Sequence, residues 1–129
     1  MGKNAEAVKR GIELFNKGNI PGLLELYDLG AQVESQGTII GGSFRGREGL
    51  QEWFQKIGNV YRGGVQLKID NLYEAGDAVI VEWTGTGKLA NGEAIAAKTL
   101  SVLEFRGDKV VNHRLYSDTE QLARAMGKL

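Results

Sequence analysis

Proton chemistry near neutral pH needs a group that titrates there, and the chain holds one imidazole, His113, in the stretch VVNHRLYSDTEQ at residues 110–121. An imidazole titrates near pH 6.5, so His113 qualifies as the acid or base of a proton abstraction or an acid-assisted cyclisation, with Ser101 or Ser117 to orient it or to bind an oxyanion. The competing readings are a hydrogen-bonded wall residue or, with the strand parity the other way, a side chain facing solvent. Ser117, His113 and Asp118 hold the components of a nucleophilic triad, yet residues four apart on one strand lie ~13 Å apart, too far for a nucleophile to touch its base. Asp118 is better explained as a helix cap, because SDTEQ has capping spacing either for Ser117 with Glu120 or for Asp118 with Gln121. A metal centre lacks ligands, with one histidine, no cysteine and no close acid cluster. GTGKLANG and GGSFRGREG carry glycines without the spacing of a phosphate loop. No cofactor is expected.

The elements that must position these groups follow from hydrophobic period. Between Asn4 and Asn16, Ala7, Val8, Ile12 and Phe15 recur at helical spacing. NKGN ends that helix, with Gly18 suited to a left-handed cap, and Pro21 suits the first turn of a short second helix through Leu26. AQVESQG (31–37) reads as a short strand with Val33 and Ser35 on one face and Glu34 on the other. TIIGGSFRG (38–46) reads as a loop or irregular hairpin. REGLQEWFQKIGNVY (47–61) puts Leu50, Trp53, Phe54 and Ile57 on one helical face. From Gly64 the period becomes two, in four runs separated by EAGD, LANGE and RGDK: Val65 to Tyr73, Ala78 to Lys88, Ala94 to Phe105 and Lys109 to Tyr116. A last helix spans Thr119 to Met126. Helices followed by an antiparallel meander predict an α+β fold, with helices packed on one face of a curved sheet.

Parity then sorts the side chains of the sheet. One set is Val65, Leu67, Ile69; Val79, Val81, Trp83; Ser101, Leu103, Phe105; Val111, His113, Leu115 and Ser117, and it is assigned to the concave face. Its polar members, with Ser35 added, are Ser35, Ser101, His113 and Ser117, a sparse polar set in an apolar cup of the kind that holds small molecules. Gly11, Phe15, Val33, Trp53, Val81, Trp83, Leu103, Leu115 and Ser117 are its expected lining. Gly11 either enlarges the cup beside Ile12 or permits close packing. Tyr27, Tyr61 and Tyr73 could each point a hydroxyl inward, but aromatic packing is the commoner role. The opposite set holds Ile80, Glu82, Thr84; Lys98, Leu100, Val102, Glu104; Asn112, Arg114 and Tyr116. It is too apolar for open water and is assigned to a homodimer interface, with Arg114 and Glu82 pairing across the dimer or the sheet.

A length of 129 residues fits one domain, 1–129, with one core. Lysine plus arginine and aspartate plus glutamate number 16 each, so no charge excess calls for nucleic acid or an anionic membrane. The absence of cysteine removes disulfides and thiolate nucleophiles. MGKNAEAVKRGIELF lacks the apolar run of a signal peptide and, with Glu6 at the sixth residue, the myristoylation pattern. The expectation is a soluble, cytoplasmic protein whose partners are a small apolar molecule and a second copy of itself.

In order along the chain, FNKGNIPGLLELY, FRGREGLQEWF, EAGDAVIVEWTGTG and LEFRGDKVVNHRLYSDT resemble the SnoaL-like and ketosteroid-isomerase-like branch of the NTF2-like superfamily. The resemblance covers nearly the whole chain. It implies a cone-shaped α+β barrel with a deep apolar pocket, commonly a homodimer, on a fold that serves isomerases, cyclases, epoxide hydrolases, dehydratases and non-catalytic binders. The isomerase residues do not carry over. The carboxylate base that follows the "V-E" of the first strand is Ser35 here, after Val33 and Glu34. The oxyanion-binding tyrosine of helix one matches Gly11, and the aspartate of the third long strand matches Ser101. Serine cannot take a proton from carbon without a base of its own, so steroid isomerisation by the usual route is not expected. The expected function is that of a small-molecule pocket protein. If catalytic, it would be a cofactor-free isomerase, cyclase or hydrolase-like enzyme acting on a hydrophobic carbonyl or polyketide-like compound, with His113 as proton shuttle and Ser35 and Ser101 as hydrogen-bonding groups. The alternative is a non-catalytic ligand-binding or dimeric assembly module.

Overall fold

A computed structural model describes residues 2–37 and 39–128. Met1, Thr38 and Leu129 lie outside the described residues, and with them the first residue of the N-terminal segment and of the expected 38–46 loop. The element order is α1 (Lys3–Asn16), α2 (Ile20–Leu24), β1 (Tyr27–Ser35), β2 (Gly42–Arg45), α3 (Gly46–Val60), β3 (Val65–Ala75), β4 (Ala78–Lys88), β5 (Ala94–Arg106), β6 (Lys109–Ser117) and α4 (Thr119–Ala125). The predicted α+β arrangement is what forms, on one six-stranded sheet ordered β2-β1-β6-β5-β4-β3.

The four alternating runs become the antiparallel meander β3 to β6. At its far side β6 pairs with β1 in parallel, and β1 pairs with β2 antiparallel. The first strand departs from the sequence reading by beginning at Tyr27 rather than near Ala31, and of the two readings of the 38–46 segment the hairpin forms, its short strand β2 burying Phe44 opposite Val33. Both were obscured by glycines and by Leu29, 73 % exposed, which interrupt the alternation.

Two bulges within the meander reset the parity. Asp70 is the extra residue where β3 pairs with β4, and beyond it Leu72 joins the core. Val111 is the extra residue where β6 pairs with β5, so Val110 is buried and Val111 is not the inward residue that uniform alternation predicts.

Helix α1 is tied to β3 at both ends. No side chain of its own caps its first turn, and the Glu74 carboxylate of β3 accepts from Gly2 N at 3.2 Å and Ala5 N at 3.3 Å instead. At the other end the Asn16 amide donates to Leu67 O at 2.8 Å and accepts from Leu67 N at 2.7 Å, imitating a strand partner. Gly18 takes φ 73° just past the helix, as a left-handed cap requires. The core gathers Leu50 of α3 with Val33, Val79 and Val81 of the sheet. On the opposite face Arg114 pairs with Glu104 at 2.7 Å rather than with Glu82, which accepts from Asn71 at 3.1 Å. No helix among the described residues is long and apolar enough to cross a membrane.

Candidate functional site

The concave face of the sheet, together with α1, α2 and α3, surrounds a cavity of about 480 Å³. Strand register arranges the side chains of the concave face in rows. Val33, His113, Leu103 and Val79 lie side by side across four strands; the next row holds Ser35, Leu115, Ser101 and Val81, and the third holds Ser117, Thr99 and Trp83. Rows on one face are about 7 Å apart. At the Ser117 end the cavity meets α4 and the exposed residues Gln36 and Gly37. There Gly37, at φ 92°, lies so near Thr119 that a β-carbon would come within 2.6 Å of its methyl group.

His113 is the ionisable side chain of the deepest row. It is 8 % exposed, and burial alone pushes its pKa down to about 3, so the ring is neutral at working pH. Its Nδ1 is 2.9 Å from the hydroxyl of Tyr27, itself buried and held above the ordinary phenol pKa by desolvation. Trp53 of α3 meets the imidazole edge to face, ring centroids 5.6 Å apart. Two buried polar atoms have no hydrogen-bond partner among the described residues, His113 Nε2 and Trp53 Nε1, and both residues line the cavity.

Register decides what the expected partners do. Ser101, 1 % exposed, sits diagonally from His113 and accepts from Trp83 Nε1 at 2.9 Å, and among the described residues no hydrogen bond joins it to the imidazole. Ser117 lies two rows away, at the exposed end. Tyr27 holds the ring instead. Its inward hydroxyl is the less favoured of the two readings of the sequence, because the start of β1 is hidden where the alternation breaks at Leu29 and Gly30 and the register to β6 shifts between Tyr27 and Gln32.

Of the expected lining, Gly11, Phe15, Trp53, Val81, Trp83, Leu103, Leu115 and Ser117 border the cavity, as do Ser35, Ser101 and His113. Val33 does not: it is fully buried in the core with Phe44 and Leu50. Glu34 is exposed on the other face, accepting from Ser43 Oγ at 2.9 Å, so the position beside the cavity is a serine. Gly11 borders the cavity, and it also permits close packing: a β-carbon there would lie 3.1 Å from Leu26 Cδ1. The carboxylates in the wall are Asp118 and Glu120, both exposed and engaged locally. Asp118 caps α4 through Gln121 N at 2.9 Å, the second of the two capping arrangements expected, and Glu120 pairs with Arg124 at 2.9 Å.

Comparison with solved structures places this architecture among known folds. An NTF2-like protein of unknown function from Burkholderia pseudomallei superposes with a TM-score of 0.91 at 20 % identity, covering 97 % of this chain and 98 % of that one. TerC, crystallised with polyporic acid, gives 0.90 at 21 % identity over 98 % and 99 %. Bal32a, from a soil-derived mobile gene cassette, gives 0.84 at 28 % identity over 92 % of each chain. No curated protein sequence matches. The model of the SnoaL-like domain matches residues 8–113, and the chain therefore belongs to the SnoaL-like family within the NTF2-like superfamily.

Proposed function

We propose that residues 1–129 act as one cofactor-free domain whose cavity binds a small, largely apolar molecule of the hydrophobic carbonyl or polyketide-like type. The observation that carries this reading is the buried His113 ring, with one nitrogen tied to Tyr27 and the other buried without a partner among the described residues, in a wall otherwise dominated by aliphatic and aromatic groups. Crystallisation of TerC, of the same fold, with polyporic acid is in keeping with it. An imidazole held near pKa 3 is a weak base for a C–H bond, and no carboxylate stands in the buried part of the wall, so recognition is favoured over carbon deprotonation. Catalysis is the second reading, favoured by the unpartnered Nε2: His113 would then shuttle a proton, with Ser35 and Ser101 supplying hydrogen bonds. The convex face, bearing Ile80, Leu100 and Val102, serves a homodimer in this proposal.

The test uses 1-tetralone, an apolar ketone with exchangeable α-hydrogens. Saturable one-site binding is expected from NMR shifts of the indole N–H groups of Trp53 and Trp83. Deuterium uptake at the α-carbon in heavy water, dependent on His113, would favour the catalytic reading, and binding without exchange favours the binder. Failure of tetralone, and of apolar compounds of its size, to enter the cavity would remove the proposal.

A further inference from the structure

We infer that Tyr27 fixes the tautomer of His113, so that His113 Nε2–H and Trp53 Nε1–H form a paired donor site for the carbonyl oxygen of a ketone or quinone ligand. The inference rests on the reading of the cavity as a ligand site and names what the ligand must present.

A neutral imidazole carries one N–H. If that proton were on Nδ1, it would donate to the Tyr27 oxygen, and the phenolic O–H would need a second acceptor. Among the described residues Tyr27 has one hydrogen-bond partner, His113 Nδ1 at 2.9 Å. The arrangement that leaves no buried phenolic proton unsatisfied has Tyr27 donating to Nδ1, which puts the imidazole proton on Nε2. Indole nitrogen is a donor only. The two buried atoms without a partner are therefore both donors, on rings packed edge to face at 5.6 Å. A hydrocarbon leaves both unsatisfied and an ammonium ligand opposes them, whereas a carbonyl oxygen has two lone pairs to offer. Ser101, which borders the same cavity and accepts from Trp83, has a hydrogen-bond partner already, whereas His113 Nε2 and Trp53 Nε1 have none among the described residues. Tyr27 is thus a positioning residue, acting on the ligand through His113.

The experiment compares 1-tetralone with tetralin, the hydrocarbon of the same ring skeleton, by NMR titration of the wild type and of Trp53→Phe, His113→Phe and Tyr27→Phe. Each variant should lower the ketone-to-hydrocarbon affinity ratio by about 2- to 10-fold, the range of one hydrogen bond. Tetralin binding reports that the variant is folded. In the free wild type, long-range proton–nitrogen correlations should show Nε2 protonated and Nδ1 bare, and in Tyr27→Phe a mixture of tautomers, a change that a purely structural tyrosine would not cause. Protonated Nδ1 in the wild type overturns the inference without any variant. An unchanged ratio in Trp53→Phe and His113→Phe overturns it while leaving the cavity a ligand site. Binding of neither compound overturns the ligand-site reading and this inference with it.

Discussion

Acidifying the protein from pH 8 to pH 5 should cost stability through His113 alone, by an amount the structure allows to be worked out. In the unfolded chain the imidazole titrates near 6.5, and in the folded protein burial holds it at about 3. The sign follows from proton uptake: between these values the unfolded chain binds a proton that the native state does not, so stability is complete above pH 6.5 and falls as the pH drops toward 3. At pH 5 the unfolded imidazole is about thirty-fold more often protonated than not, which corresponds to a loss of about 2 kcal/mol relative to pH 8. Asp70 is held below the ordinary carboxylate value, first by its hydrogen bond from Thr84, and so loses its contribution only at lower pH. The window from 5 to 8 therefore isolates the histidine. Urea midpoints followed by tryptophan fluorescence, for the wild type and His113→Asn, should diverge by about 2 kcal/mol across that window, the variant showing the flatter profile. A ring titration by NMR in the wild type, independent of any variant, should find His113 neutral throughout. Parallel stability profiles, or a ring midpoint near 6.5, would refute the burial argument and the neutral-imidazole chemistry built on it.

Three further outcomes follow from the same structure. Asn16→Ala removes both hydrogen bonds to the Leu67 backbone and should destabilise by about 1–3 kcal/mol in chemical denaturation, with early exchange of the Leu67 amide. Glu74→Ala leaves the first turn of α1 without its acceptor and should cost about 1 kcal/mol, with faster amide exchange at Ala5. Leu100→Lys on the convex face should convert the proposed dimer to monomer in sedimentation velocity while leaving ring binding intact; a wild-type monomer at high concentration would end the dimer proposal.

The meander was readable because each of its strands alternates over enough residues for period two to dominate, and its turns carry their own signals. The first two strands were harder for a physical reason. β1 begins at Tyr27, but Leu29 projects into solvent and Gly30 follows it, so the run loses its alternation in the middle. β2 is four residues long, too short to show a period, and owes its pairing to Phe44 entering the core opposite Val33. Bulges are the other blind spot. Inserting Asp70 or Val111 changes the facing of every later residue on that strand, and whether a residue is extra depends on the partner strand, which local sequence does not reveal.

The site shows the same division between local and distant information. His113 could be singled out because it has no competitor of its type, but its expected role as an acid–base group assumed the titration of a free imidazole. Its place between β1 and β5, in the row with Val33 and Leu103, removes that property by desolvation. Its partner Tyr27 is 86 residues away, and its ring neighbour Trp53 arrives on a helix that packs against β1 and β2. Wall residue and functional residue, set against each other when only the sequence is considered, are then not opposed. The Tyr27 bond satisfies one nitrogen and makes the imidazole a stable part of the wall; the same bond, by fixing where the remaining proton sits, defines what the proposed ligand must offer the other nitrogen.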